Sequence, residues 1–169
     1  MEVQSHRPEL PGRVKGIEDH GEFHHHWTGR MISRTASCHC GQLDLICAGE
    51  PRKISMCHCV QCQRRTGSLF SIAVFYERDQ VTIERGTTHS FERQSASGFP
   101  VAFHFCPQCG SNLFWEPARM PHLIGVAAGA FADPNFPPPE QAVWMKESHR
   151  WLILPDEITA FDTNPLSRA

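Results

Sequence analysis

Cys38-His39-Cys40-Gly41 and Cys106-Pro107-Gln108-Cys109-Gly110 decide how this chain folds, with Cys57-His58-Cys59-Val60-Gln61-Cys62 lying between them. Together they hold all but one of the 8 cysteines in the 169-residue sequence. A tetrahedral zinc holds each thiolate at about 2.3 Å, which brings neighbouring sulfurs to roughly 3.8 Å of one another. Residues two apart on a regular strand stand about 6.8 Å apart. A C-x-C or C-x-x-C pair that shares an ion must therefore sit on a turn. Gly41 and Gly110 follow directly, and glycine accepts the positive φ that a tight knuckle demands. The middle group differs, because Cys62 runs on into Gln63, Arg64 and Arg65 and three sulfurs fall within six residues. Seven ligands divide into one set of four and one set of three, and a set of three leaves a coordination position open.

A disulfide framework is the competing reading of so many cysteines. The N-terminus shows no apolar stretch resembling a signal peptide, and a chain of this length can bury a core without covalent staples. A reducing, cytoplasmic setting is the expectation. Bridging Cys38 to Cys40 would also close a very small, strained loop, whereas the pair chelates a metal readily. Sulfur ligands select zinc or an iron–sulfur centre, and two knuckles suit a single tetrahedral ion more simply.

The formal net charge of −2 supplies no field that would draw the protein to nucleic acid. No run of eighteen apolar residues suggests a membrane span. Residues 1–34, with Pro8, Pro11, Gly12, Gly16, Gly21 and Gly29 among charges, show neither helical nor strand periodicity, so they are expected to form an irregular extension ahead of a single domain at 35–169. His24, His25 and His26 within it read as a solvated polar turn.

From Cys38 onward the pattern is that of short strands. Runs rich in β-branched and aromatic residues at 43–47, 69–76, 81–83, 101–105, 112–115 and 122–128 are separated by Gly, Pro, Asp and Ser. Pro137-Pro138-Pro139 breaks the chain before two further strands expected at 142–146 and 151–154. Helix is limited to single turns expected at 60–65 and 156–161. The fold class is mostly β, with antiparallel sheets. Cys38 and Cys40 are expected to open the domain before its first strand, and Cys106 and Cys109 to close a turn after a long central one. Joined by one ion, these four would pin distant parts of the sheet and contribute folding free energy outright. Cys57, Cys59 and Cys62 would then hold a second ion with a vacant fourth place, the form of catalytic zinc sites.

The order C-x-C-G, then C-H-C-x-x-C followed by Thr66-Gly67-Ser68-Leu69-Phe70, then Phe105-Cys106-Pro107-Gln108-Cys109-Gly110-Ser111-Asn112-Leu113-Phe114, and lastly Gly125-Val126-Ala127-Ala128-Gly129 leading to Trp144 and Trp151, resembles the glutathione-dependent formaldehyde-activating enzyme family, which includes the centromere protein V group. The resemblance runs from about residue 35 to 161. It implies a β-tent, two antiparallel sheets leaning together around zinc, with two zinc ions per chain. Cys38, Cys40, Cys106 and Cys109 match the structural ligands; Cys57, Cys59 and Cys62 match the catalytic ones. The implied activity joins formaldehyde to glutathione to give S-hydroxymethylglutathione, a carbon–sulfur lyase reaction in the reverse sense. Fold and motif transfer better than substrate identity.

The chemistry suits such a site. Three thiolates leave a zinc centre with a formal charge of about −1, a poor generator of hydroxide but able to favour the deprotonated form of an incoming thiol. Holding that thiolate against a small carbonyl then needs positioning and proton traffic. Glutathione carries two carboxylates, and Arg64 and Arg65 stand beyond Cys62 either to receive one or to pair with Asp or Glu on a solvated face. Gly67 and Ser68 either line the pocket or make an ordinary turn. His39 and His58 are expected to point away from the metal, His104 to be a hydrogen-bonded core or pocket residue, and Cys47 to be a buried free thiol. The leading function is a zinc-dependent lyase acting on a thiol–aldehyde adduct, with the second zinc labile. The alternatives are a non-catalytic zinc-stabilised binding or scaffold module and a redox or metal sensor using the middle thiolates. The sequence leaves oligomeric state open.

Overall fold

The computed structural model describes residues 32–95 and 97–165. The expected extension, with its three consecutive histidines, lies outside them except for its last three residues. The chain is mostly β. Its strands are β1 (Ser33–Ser37), β2 (Asp44–Ala48), β3 (Lys53–Cys57), β4 (Ser71–Glu77), β5 (Val81–Arg85), β6 (His89–Gln94), β7 (Pro100–Phe105), β8 (Asn112–Pro117), β9 (Leu123–Ala127), β10 (Gln141–Val143) and β11 (Thr159–Ala160), with one helix, α1 (Val60–Thr66), and three short 3-10 turns.

Two sheets result. The smaller is β1-β2-β5, antiparallel throughout, and the larger runs β11-β10-β3-β4-β9-β8-β7-β6. Antiparallel pairing holds from β3 to β6, whereas β10 joins β3 and β11 in parallel. The long connections that carry Pro137-Pro138-Pro139 and residues 144–158 allow that parallel addition, which a hairpin cannot make.

The larger sheet is apolar on both faces, and its period-two alternation assigns each residue to one of them. Ile54, Val74, Tyr76, Ile124 and Val126 pack with Ala36, Leu45 and Cys47 of the smaller sheet in the main core. Ala73, Phe75, Val101, Trp115 and Leu123 cluster on the opposite face. Cys57 shares the second face, directly across from Ser71. A register shift between His104 and Phe105 lets Leu113 turn into the main core while Asn112 stays beside the second face. Cys47 is the buried free thiol expected; burial pushes it up to about 12 against the pull of Arg34.

The structure corrects several local expectations. Cys38 and Cys40 do not precede the first strand, since β1 comes before them and they occupy the turn into β2. β3 and β6 are additional strands; β6 (His-Ser-Phe-Glu-Arg-Gln) is an edge strand with mostly exposed side chains, so no apolar alternation marks it. Residues 151–154 form no strand, and Trp151 and Ile153 are exposed. The helical turn expected at 156–161 is instead a turn leading into β11.

Gly125 fixes the second face. A Cβ there would meet the Trp115 indole at 2.6 Å, so only glycine lets that ring lie across β9. Gly125→Ala is expected to displace Trp115 and lower stability by about 1–3 kcal/mol, read as a reduced urea midpoint at unchanged slope. An unshifted midpoint would show that the indole moves freely.

Candidate metal centres and the cavity beside them

The first cysteine group unites the two sheets. Cys38 and Cys40 leave the end of β1, Cys106 and Cys109 occupy the β7–β8 connection, and their four sulfurs lie within 4.8 Å of one another. Cys38 and Cys40 Sγ stand 3.5 Å apart and Cys40 and Cys106 Sγ 3.7 Å, the separations a tetrahedral zinc imposes. Both knuckles are built alike. The Cys38 N–H donates to the Leu43 carbonyl and the Cys106 N–H to the Ser111 carbonyl, each at 2.9 Å. Gly41 and Gly110 both take φ of 72° and return their N–H groups to the carbonyls of Cys38 and Cys106, as the spacing demanded. The Leu43 N–H also reaches Cys38 Sγ at 3.2 Å, a charge-assisted bond when that sulfur is ionised. A hydroxyl and backbone donor at Ser111 hold the Cys109 thiol down to about 5. The donor set fits a structural metal ion.

The second group sits at the end of β3 and the start of α1, where the sulfurs of Cys57, Cys59 and Cys62 also lie within 4.8 Å of one another. Among the described residues no histidine, carboxylate or fourth cysteine completes the set. Cys59 is the N-cap of α1, its sulfur accepting the Cys62 N–H at 3.3 Å, and Gly67 ends the helix at φ 64° with its N–H on the Gln63 carbonyl. Thiol donation from Cys57, then from Cys62, holds the Cys59 thiol down to about 2, and the same sharing pushes Cys57 up and Cys62 up to about 11. Without an ion, this sharing favours the thiolate at Cys59 over Cys57 and Cys62. All eight cysteines are free, so no disulfide competes with either site.

His39 is exposed and belongs to neither group. His58 is fully buried, tilted against Phe70 at 5.7 Å, with neither ring nitrogen hydrogen-bonded. Burial, then the neighbouring His149, lowers its pKa and keeps the ring neutral. His104 stacks on Phe114 at 4.3 Å with Nε2 2.8 Å from Glu116 Oε1, away from the sulfurs.

Cys57, Cys59 and Cys62 open onto a cavity of about 1390 Å³ that spreads over the second face of the larger sheet. The two arginines beyond Cys62 behave differently. Arg65 donates to Asn112 Oδ1 and Ser71 Oγ and lies over the rings of Trp115 (4.5 Å) and Phe103 (5.0 Å). Burial lowers its pKa, while Cys62, Cys57 and Cys59 pull it back up, so it serves as a fixed positive charge beside the three sulfurs. Arg64 is exposed at the cavity wall and, among the described residues, makes no ion pair. Gly67 and Ser68 are exposed at the end of α1, and neither lines the cavity; the Ser68 N–H donates to Thr66 Oγ1.

Lys53, Arg93 and Arg119 also face the cavity beside the Trp115 floor, and sequence reasoning singled out none of these three cations. Counting back by twos from Cys57 reaches Ser55 and Lys53 on the same face, a signal that recognising β3 as a strand would have supplied.

The profile of the glutathione-dependent formaldehyde-activating enzyme family matches residues 33–147, more than half of the chain and all seven clustered cysteines. The chain belongs to that family. A protein of Halomonas elongata named "Putative glutathione-dependent formaldehyde-activating enzyme" is 28% identical over 117 residues, covering 66% of this chain and 74% of that protein. A crystal structure of a Rhodobacter sphaeroides protein aligns with a TM-score of 0.45 at 21% identity, covering 62% of this chain and 91% of its own.

The two cysteine groups should respond differently to substitution. Cys109→Ser is expected to cost more than about 4 kcal/mol and to prevent stable folding, whereas Cys59→Ser should stay within about 1 kcal/mol of the parent, since serine also caps a helix. Equal destabilisation in denaturant titrations would make both groups structural. Because an ion must displace protons from both Cys57 and Cys62, affinity at the three-sulfur site should fall by about 100-fold for each pH unit lowered. Chelator competition at two pH values measures this, and a pH-independent affinity would contradict the protonation pattern.

Proposed function

We propose that this protein is a zinc-dependent carbon–sulfur lyase that forms or cleaves an adduct of a glutathione-like thiol with an aldehyde, such as S-hydroxymethylglutathione. One observation carries the reading: three cysteine sulfurs converge with no fourth ligand among the described residues and face a cavity lined by cations. Family membership supports it. A fully ligated pair of structural sites, as a scaffold module would have, gives no reason for that open face.

Cys38, Cys40, Cys106 and Cys109 would hold a structural zinc, and Cys57, Cys59 and Cys62 a second one. When bound at the second set, zinc supplies a position that favours the deprotonated form of an incoming thiol. The chain's own groups do the rest. Arg65, anchored by Asn112 and Ser71, offsets the negative charge of three thiolates and keeps them converged. Arg64 is free to receive a glutathione carboxylate at the cavity wall. The apolar floor of Trp115 and Phe103 limits water around the reacting sulfur. In the forward direction the sulfur lone pair forms the C–S bond, the carbonyl π bond breaks toward oxygen, and that oxygen takes up a proton. The reverse returns the same proton and releases thiolate and aldehyde. Free thiols throughout agree with a reducing compartment such as the cytoplasm. Among the described residues no helix is long and apolar enough to cross a membrane.

NMR exchange spectroscopy on glutathione, formaldehyde and metal-loaded protein tests the reading. Exchange faster than the uncatalysed reaction is expected, with at least about 100-fold of it lost in Cys59→Ser. No acceleration by the loaded parent protein would rule out this substrate pair.

A further inference from the structure

Formaldehyde has two heavy atoms and needs little more room than a water molecule, about 30 Å³. The cavity, about 1390 Å³, exceeds the roughly 300–1,000 Å³ usual for drug-sized ligands. Its shape follows the sheet. Cys57 and Lys53 both face it from β3, four residues apart, so it extends about 14 Å from the sulfurs at about 3.4 Å per residue. The row level with Lys53 is aromatic, because β-pairing sets Phe75 beside Lys53, Trp115 beside Gly125, Phe103 beside Trp115 and Phe91 beside Phe103. Phe91 remains 59% exposed and Phe99 46%, although both line the cavity. Large apolar side chains left uncovered around a concave site mark a place where a ligand binds.

The charges are one-sided. Lys53, Arg64, Arg65, Arg93 and Arg119 line the cavity, and among the described residues no aspartate or glutamate does. Arg65 is committed to Asn112, Ser71 and the sulfurs. Arg93 donates to Gln61 and to the Gln94 carbonyl, and among the described residues Arg119 reaches only the Pro165 carbonyl at 3.5 Å. Lys53 rests over the Phe75 ring at 5.3 Å, and among the described residues it makes no ion pair. Burial lowers the Lys53 pKa; exposed Glu140 raises it and Arg119 lowers it further, so Lys53 and Arg119 sense one another. A half-buried ammonium near a guanidinium, with Glu140 exposed and no carboxylate among the described lining residues, suits an anion from the ligand.

We infer that the carbonyl partner in the adduct is larger than formaldehyde: an elongated, aromatic carbonyl compound whose far end carries an acidic group held by Lys53 and Arg119. This rests on the thiol-adduct reading of the three-sulfur site. The thiol sulfur lies at Cys57, Cys59 and Cys62, the aromatic skeleton occupies the trough between those sulfurs and Lys53, and the acid ends near Lys53. The bond changes are those already given, with the aryl-bearing carbonyl carbon in place of formaldehyde.

Non-reactive thioethers separate the contributions. Metal-loaded protein is titrated calorimetrically with S-methylglutathione, S-(biphenyl-4-ylmethyl)glutathione and its 4′-carboxylated form. The carboxylated biphenyl is expected to bind at least tenfold more tightly than either other compound, and Lys53→Met with Arg119→Met should abolish its advantage over the uncharged biphenyl. S-methylglutathione binding as tightly as both biphenyls would overturn the aromatic trough. Equal affinity for the two biphenyls in the parent protein would overturn the acid site. Exchange of glutathione with formaldehyde, in the absence of any biphenyl preference, refutes this inference and leaves the lyase reading standing. A biphenyl preference without formaldehyde exchange removes formaldehyde as the carbonyl and supports the larger one.

Discussion

The structure depends on the approach of four sulfurs, from Cys38, Cys40, Cys106 and Cys109, to within the span of one tetrahedral ion. The first pair ends a strand of the smaller sheet and the second ends a strand of the larger. Closing those two loops through one point ties together segments more than sixty residues apart in sequence. The two sheets then lean on a core of Leu43, Leu45, Val74, Tyr76, Leu113 and Val126, all fully buried. Without an ion, four thiols would be crowded within 4.8 Å of one another with no cation to draw them together.

Once one face of the larger sheet is spent on the core, alternation commits the other to the cavity. Cys57 and Lys53 are therefore on the same face for the same reason that Ile54 and Met56 are not. α1 brings Cys59 and Cys62 to Cys57 by starting at Cys59, and Arg65, two turns of chain later, folds its guanidinium back between Asn112 and Ser71. The site is a consequence of where β3 ends and α1 begins. Its electrostatics follow: three cysteine sulfurs at one end, a fixed Arg65 beside them, and, among the described residues, cations without carboxylates along the wall.

Much of this was legible from residue order. The four-plus-three division of the cysteines, the positive φ at Gly41 and Gly110, the strands around 71–77, 100–105, 112–117 and 123–127, the single helix and the buried Cys47 all followed from spacing, turn chemistry and alternation. What escaped has physical causes. β6 is exposed and edge-bound, and β11 is too short to show a period, while the strand expected at 142–146 pairs only over Gln141–Val143. Trp151 and Ile153 carry strand-like side chains but, among the described residues, pair with no strand. Lys53, Arg93 and Arg119 converge only through β-pairing of segments far apart in sequence. Gly67 and Ser68 were singled out by proximity to Cys62 in the chain, yet the helix that positions Cys62 carries them away from the cavity.

X-ray absorption at the zinc edge of the fully loaded, substrate-free protein tests the central claim most directly. The proposed division predicts two zinc ions per chain, one with four sulfurs and one with three plus a lighter ligand, an average of about 3.5 sulfurs per zinc. An average of four, or a protein that binds only one ion, would contradict it.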